Sequence, residues 1–307
     1  MERRGAPRDP GTIPDFASLH PGYSSAMDAF AHCENLVREI DKDRFLASLF
    51  APADRRRDLL ALYGFNAEVA GVQGKVREPL AGEVRLQYWH DLIAHAGEPG
   101  ANPVALALLE TVKRHALPRQ RLLDLLEARR FDVYDETFAT RADLEDYAGK
   151  TSSAVIELAL RILGAPDDAN LELARPAGIA YAIAGLARSF AFHASGGKIF
   201  LPDEIAAVHG AARADILAGR ATGEVRAALA DLRQQARSHL DRIRTGVGEL
   251  PDLLVPALLP VALVRAYLAR MERTDYEPFR TAVELPQWRK QWLLWRAARD
   301  PRRIAGS

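Results

Sequence analysis

The stretch Tyr181–Glu204, YAIAGLARSFAFHASGGKIFLPDE, decides how this chain is read. Small and apolar residues recur at helical spacing as far as His193. Gly196-Gly197 then breaks the pattern, and the short apolar run Ile199-Phe200-Leu201 stops at Pro202. Ser189 and His193 stand four residues apart, so a helix through them presents both on one face. A hydroxyl and a neutral imidazole supply no negative charge and suit an oxygen-loving cation such as Mg²⁺ poorly. Both are expected to line a pocket or to pack, not to bind metal.

Working outward, almost everything after about Ser24 carries the same helical patterning. Ala-, Leu- and Arg-rich runs are separated by short breaks near Pro52, Pro79, Gly97–Pro103, Pro118, Gly164–Pro166, Gly196–Pro202 and Pro251. Alternating strand-like runs are scarce, and no internal repeat is visible. The economical reading is one all-α domain over residues 25–307. Residues 1–24, which open MERRGAPRDPGTIPDF, are rich in Arg, Pro and Gly, lack the apolar core of a secretory signal, and read as a disordered leader. The apolar segment Leu253–Met271 contains Pro256, Pro260, Arg265 and Arg270, and reads as a buried, kinked core helix rather than a membrane span. Lys+Arg equals Asp+Glu, 41 each, which argues against a globally basic nucleic-acid binder, and no nucleic-acid partner is expected. Cys33 is the only cysteine, so no internal disulfide can form.

Four further segments carry local signals. In Asp54–Lys75, Asp54 is expected to N-cap a helix with Leu59, Leu62, Tyr63, Asn66 and Ala70 on a common face. In Arg77–Asp91, Glu83, Gln87 and His90 form a polar face, better read as solvated or packed than as a metal site. In Arg129–Thr151, Thr140 and Asp143 make a capping box for the helix that carries Tyr147, while Asp132, Asp135 and Glu136 read as a solvated turn. In Pro286–Arg303, Trp288, Trp292 and Trp295 share one helix face, flanked by Arg289, Lys290, Arg296, Arg299, Arg302 and Arg303. That face reads either as packed onto the body of the domain, which the usual burial of Trp favours, or as an interfacial contact with an anionic membrane.

The order and spacing of these segments, over roughly Asp41 to Arg299, resemble the squalene/phytoene synthase family. Arg188, Gly197, Lys198, Phe200, Leu201 and Pro202 fall in place in its second signature, and Tyr63 and Phe65 in its first. Gly82, Glu83, Arg85, Gln87, Trp89, Leu144 and Tyr147 match further family positions. The resemblance implies the all-α isoprenoid synthase fold, a helical bundle with a central cavity. It also implies that the family's Mg²⁺-binding aspartates are replaced, by Ala70, Gly71 and Gly74 in the first motif and by Ser189 and His193 in the second. Asn66 stands for a Cys, and Ala67 for an Arg that helps bind diphosphate. Tyr63-x-Phe65-Asn66-x-Glu68, Tyr147-x-x-x-Thr151, Phe192-His193 and Lys198-x-Phe200-Leu201-Pro202 resemble the branch that contains the mitochondrial complex I assembly factor and its bacterial relatives.

What this implies is a non-catalytic protein of respiratory complex I assembly, with no catalytic residue, metal or cofactor. Its expected partners are complex I subunits or assembly intermediates, with peripheral contact to an anionic membrane and an isoprenoid lipid in the cavity. The expected location is cytoplasmic, peripheral on the inner membrane of a bacterium. Two alternatives stay open: a Mg²⁺-dependent transferase joining two prenyl diphosphates, and a carrier that holds an isoprenoid or quinone without reacting it.

Overall fold

The computed structural model describes residues 21–75, 78–95, 97, 99–134, 136–165 and 168–306. All regular structure among them is helical, as the patterning predicts. Most of the expected leader lies outside the described residues. The first helix, α1 (Pro21–Ile40), is followed by α2 (Lys42–Ser48), α3 (Ala53–Ala70) and the short α4 (Val72–Lys75). Next come α5 (Pro79–His95), α6 (Pro103–Arg114), α7 (Arg119–Arg130) and α8 (Arg141–Ala148). A π-helical turn, Gly149–Ser153, joins α8 to α9 (Ala154–Leu163). Then follow α10 (Asp168–Glu172), α11 (Ala174–Arg188), α12 (Phe190–Ser195), α13 (Asp203–His209), α14 (Arg213–Leu217) and the long α15 (Gly223–Val247). The chain closes with α16 (Val255–Leu258), α17 (Val264–Met271), α18 (Gln287–Arg299) and α19 (Arg302–Ala305).

Helix α11 is the central element. It packs against α15, α9, α17 and the π-helical turn, while α1, α3 and α6 form a layer that reaches it through α9. The close approach to the π-turn depends on Gly178, where a Cβ would run into the backbone of Ser153. Ser153 Oγ also donates to the Arg175 carbonyl at 2.8 Å. The core is aliphatic, with Leu59, Leu62, Leu158, Leu160, Ile183, Leu240 and Leu258 at zero or near-zero exposure.

Local signals largely act where the sequence places them. Thr140 and Asp143 form the expected capping box at the start of α8. Residues Leu259–Leu263 are a buried 3₁₀ turn between α16 and α17, because Pro260 cannot donate to an α-helical ladder. Asp54 is not the cap of α3. Pro52 holds that position, and Asp54 sits exposed in the first turn, where its charge still faces the helix N-terminus. The helix through Ser189 is not continuous either: α11 ends at Arg188, Ser189 is the joint (φ −93°, ψ 12°), and α12 restarts at Phe190. The joint keeps an α-type bond on each side, Ser189 N to Gly185 O and His193 N to Ser189 O, both at 3.0 Å, so the Ser189 and His193 side chains remain a helical turn apart. Gly197 then takes φ 81°, which lets Lys198 N reach the His193 carbonyl at 2.9 Å and closes α12. Among the described residues, no helix is long and apolar enough to cross a membrane.

Candidate functional site: an arginine-lined cavity

A cavity of about 370 Å³ opens where the C-terminal end of α3, the start of α2, the end of α7, the π-helical turn and the α11–α12 joint meet. From α3 and its C-cap come Asn66, Ala67, Ala70 and Gly71. From α11 and the joint come Tyr181, Arg188 and Ser189, with His193 one turn further on. Tyr147, Thr151 and Ser152 close the side between them. The structure therefore gathers most of the residues singled out from the sequence. Among the replaced aspartate positions Gly74 is the exception: it is exposed, with open space around it, and does not line the cavity. Tyr63 and Phe65 are buried behind the wall. Phe65 meets Trp89 edge-on at 5.0 Å, and the Tyr63 ring lies under the Arg44 guanidinium at 5.7 Å. Lys198 does not line it either; its Nζ donates to the carbonyls of Asp132 at 2.5 Å and Tyr134 at 2.7 Å, tying the turn after α12 to the segment after α7.

The electrostatics of the wall come from residues the sequence motifs do not flag. Asp41 caps α2: its Oδ1 accepts from Arg44 N at 3.1 Å and its Oδ2 from Arg44 Nη1 at 2.6 Å. Arg44 is held between the Tyr181 ring, at 4.8 Å, and that of Tyr63. Arg129 Nη1 donates to Asp132 Oδ2 at 2.9 Å and to Tyr147 Oη at 2.8 Å, while Tyr147 Oη donates to Asp132 Oδ1 at 2.8 Å. Asp132 is thus buried and doubly bonded, which corrects the expectation of a solvated turn. The reason is the return of Arg129 and Tyr147 onto it from two helices. Glu136 is exposed as expected, and Asp135 lies outside the described residues.

The third arginine belongs to a buried ion network. Arg188 Nη1 lies 3.6 Å from Asp43 Oδ2, which also accepts from Tyr267 Oη at 2.7 Å. Asp43 Oδ1 accepts from Lys290 Nζ at 2.8 Å, so one carboxylate ties α2, α11, α17 and α18 together. Burial pushes the Tyr147 and Tyr267 hydroxyls up, so both stay protonated donors. Burial pushes His193 below 6.5, leaving a neutral imidazole at pH 7. Two buried polar atoms of residues in the wall have no partner, His193 Nδ1 and Arg129 Nε.

Among the described lining residues, Asp41 is the carboxylate, against Arg44, Arg129 and Arg188. No group of three or more His, Cys, Asp or Glu among the described residues is placed to hold a metal ion. A larger open groove of about 700 Å³ lies on the far side of Tyr147 and is rimmed by acids. Several are already engaged: Asp143 in its capping box, Asp146 with Lys150 at 2.6 Å and Glu127 with Arg130 at 3.1 Å. The polar face of α5 is satisfied in the same manner, Gln87 joining Asp91 at 2.7 Å and Arg130 at 3.0 Å.

The Trp stripe of α18 is resolved by exposure. Trp288, Trp292 and Trp295 are 67%, 46% and 46% exposed, so they do not pack onto the body of the domain. Helix α18 is fastened by its other face, through buried Leu294, Ala297 and Lys290. Arg296 and Arg299 cover the Trp292 and Trp295 rings at 4.4 and 4.3 Å.

Comparison with known proteins agrees with the helical fold. Complex I assembly factor 6 of Rattus norvegicus is 29% identical over 94% of this chain and 94% of its own. The Homo sapiens protein of the same name is 31% identical over 82% of this chain and 77% of its own. A phytoene synthase of Arthrospira platensis is 25% identical over 88% and 93%. Among solved structures, a dehydrosqualene synthase superposes with a TM-score of 0.80 at 20% identity, over 89% of this chain and 96% of that one. The squalene synthase HpnC of Alicyclobacillus acidocaldarius gives 0.73 at 27% identity, over 83% and 97%. The squalene/phytoene synthase model matches residues 37–296, and the chain belongs to that family.

Proposed function

We propose that this chain is a non-catalytic member of its family and serves in the assembly of respiratory complex I. The observation that carries the proposal is the donor set of the cavity. Ionising a prenyl diphosphate needs the developing charge on the leaving group neutralised, which metal ions do well. Mg²⁺ takes hard oxygen ligands, usually a few carboxylates plus substrate phosphates. Here Ala70, Gly71, Ser189 and His193 occupy the wall, and both oxygens of Asp41 are engaged by Arg44. That set does not suit Mg²⁺. The helical frame is nevertheless retained, which supports a use for the shape other than the chemistry. The rat and human relatives named as complex I assembly factors match at 29% and 31% identity, against 25% for the phytoene synthase, and this supports complex I as the client.

The exposed Trp stripe with its arginine rim supplies a docking face for an anionic membrane, where aromatic rings sit at the headgroup level and basic residues meet lipid phosphates. Such a contact would bring the protein to membrane-embedded assembly intermediates. The test is a deletion strain assayed for NADH:quinone activity and assembled complex I, with its lipids profiled in parallel. The proposal expects less assembled complex and an unchanged isoprenoid pool. Normal complex I with a missing isoprenoid product would reverse it in favour of an enzyme.

A further inference from the structure

We infer that a second cavity, between α15 and the turn after α17, binds a phosphate group on Arg233, with Arg226 and Arg273 beside it. This cavity measures about 250 Å³ and shares no lining residue with the central one. Arg226, Arg233 and Arg237 recur at i, i+7 and i+11 along α15, which is one face of a helix. The chain after α17 lies over that face: Arg237 holds Glu272 and Arg226 holds Glu277, each at 2.5 Å. Arg233, between them, holds nothing. Its Nε is buried without a partner, and among the described residues no acceptor or carboxylate meets its Nη atoms. A guanidinium taken out of water is normally paired, because leaving it bare is costly. On the other side of the cavity Arg273 shares the single carboxylate of Asp275 with Arg270, each at 3.0 Å. Five arginines, 226, 233, 237, 270 and 273, therefore stand against three carboxylates, those of Glu272, Asp275 and Glu277. The C-terminal end of α17 also lines the cavity, and its partial negative charge of about half a unit offsets only part of the difference.

Charge and shape together select the ligand. Burial pulls the Arg233 guanidinium below its ordinary pKa, against Tyr276 and Glu272 and with Arg237, yet an arginine does not lose its proton in a protein. The site therefore answers its uncompensated charge with an anion. A phosphate monoester carries about −1.5 to −2 at pH 7, close to the excess left here, whereas a single carboxylate would meet only part of it. Arg forks match phosphate oxygens in pairs, and charge-assisted bonds of this kind are the stronger ones. Arg226 and Arg273 are 41% and 63% exposed, so their present ion pairs are weak and their forks can turn onto a ligand. The volume is below the range of about 300–1,000 Å³ usual for whole small-molecule pockets, and it suits a phosphate head whose remainder stays outside. A free phosphate and a lipid headgroup share this chemistry.

This site stands whether or not the complex I reading does, since it shares neither residues nor chemistry with the central cavity. The experiment is calorimetric titration of the purified full chain, in phosphate-free buffer with EDTA, with inorganic phosphate and in parallel with monomeric dihexanoyl phosphatidic acid. Saturable binding is expected, weakened by added salt. Arg233→Gln should weaken it about tenfold or more, as the loss of a charged hydrogen bond does, and Arg273→Gln should weaken it several-fold. Arg188→Gln, in the central cavity, should leave it unchanged. Phosphate should also raise the melting temperature of the wild type and not that of Arg233→Gln. Circular dichroism checks that each variant folds, and exposed Arg273 gives a variant that keeps the test open if Arg233→Gln does not. Affinities within about tenfold of each other assign the site to the free anion, and affinity more than about tenfold higher for the lipid assigns it to a headgroup; both support the inference. No saturable binding of either probe, binding lost in Arg188→Gln, or binding untouched in folded Arg233→Gln (in Arg273→Gln, should only that variant fold) overturns it.

Discussion

Asp43→Asn is the substitution by which the buried ion network can be weighed. In the native protein its carboxylate accepts from Lys290 at 2.8 Å and from Tyr267 at 2.7 Å, with Arg188 at 3.6 Å, and Asp43 and Lys290 are 5% and 6% exposed. The amide preserves the shape, but it removes the charge and turns one acceptor into a donor aimed at a cation or a hydroxyl. Stripping one partner from a buried pair costs about 3–5 kcal/mol, because the other charge is left uncompensated. For roughly 280 described residues, at about 2.1 cal/mol/K each, the unfolding entropy is about 0.6 kcal/mol/K, so the melting temperature should fall by about 5–9 °C. Lys290→Met removes the cation that would be stranded. Adding it to Asp43→Asn should recover part of the loss, with a coupling of about 1–3 kcal/mol. Thermal melts of the wild type, both single variants and the double variant measure this. A fall below about 1 °C in Asp43→Asn, or strictly additive single effects, would show that the network does not hold α18 to the body.

Three other outcomes are expected. Trp288→Ala with Trp292→Ala should change stability by no more than about 0.5–1 kcal/mol, since both rings are largely exposed, while flotation with anionic liposomes falls; a large stability loss with unchanged flotation would make the stripe structural. Gly178→Ala should cost about 1–3 kcal/mol or more by driving α11 off Ser153, whereas Gly185→Ala, in open space on the same helix, should be neutral or stabilise by up to about 1 kcal/mol; equal melts for the two would refute the close-packing argument. The Arg141 hydrogen bond, followed by that from His209, holds the Asp231 carboxyl down at about 2 from an ordinary 3.8. Its contribution is therefore present above about pH 4 and lost as pH falls towards about 2, so Asp231→Asn should flatten the acid limb of a stability–pH profile and leave its shape above about pH 5 unchanged.

The fold was legible because its signals are local. Helical spacing, Pro and Gly breaks and the Thr140–Asp143 box act within a few residues, and the helices follow them. The positions flagged on α3 and at the α11–α12 joint were legible as one face each, and all but Gly74 of the replaced aspartate positions meet at one cavity. The charge of that cavity was not legible. Asp132 read as solvated because nothing in its neighbourhood announces that Tyr147 will fold back onto it. Asp43 and Lys290 are 247 residues apart, and only the packing of α18 on α2 joins them. The Asp41–Arg44 pair could have been found, since an acid just before a helix with Arg three residues on is a capping pattern. The Trp stripe misled for a simpler reason. Average burial of Trp favours the core, and the opposite face of the same helix, with Leu294, Ala297 and the stem of Lys290, is what packs.

The central claim is that a synthase fold is kept without the means of ionising a prenyl diphosphate. The most direct measurement is pyrophosphate release by the purified full chain supplied with Mg²⁺ and farnesyl or geranylgeranyl diphosphate. The account predicts release no faster than in the absence of protein, over a range of Mg²⁺ concentrations. Protein-dependent, Mg²⁺-dependent release with a coupled prenyl product would contradict it.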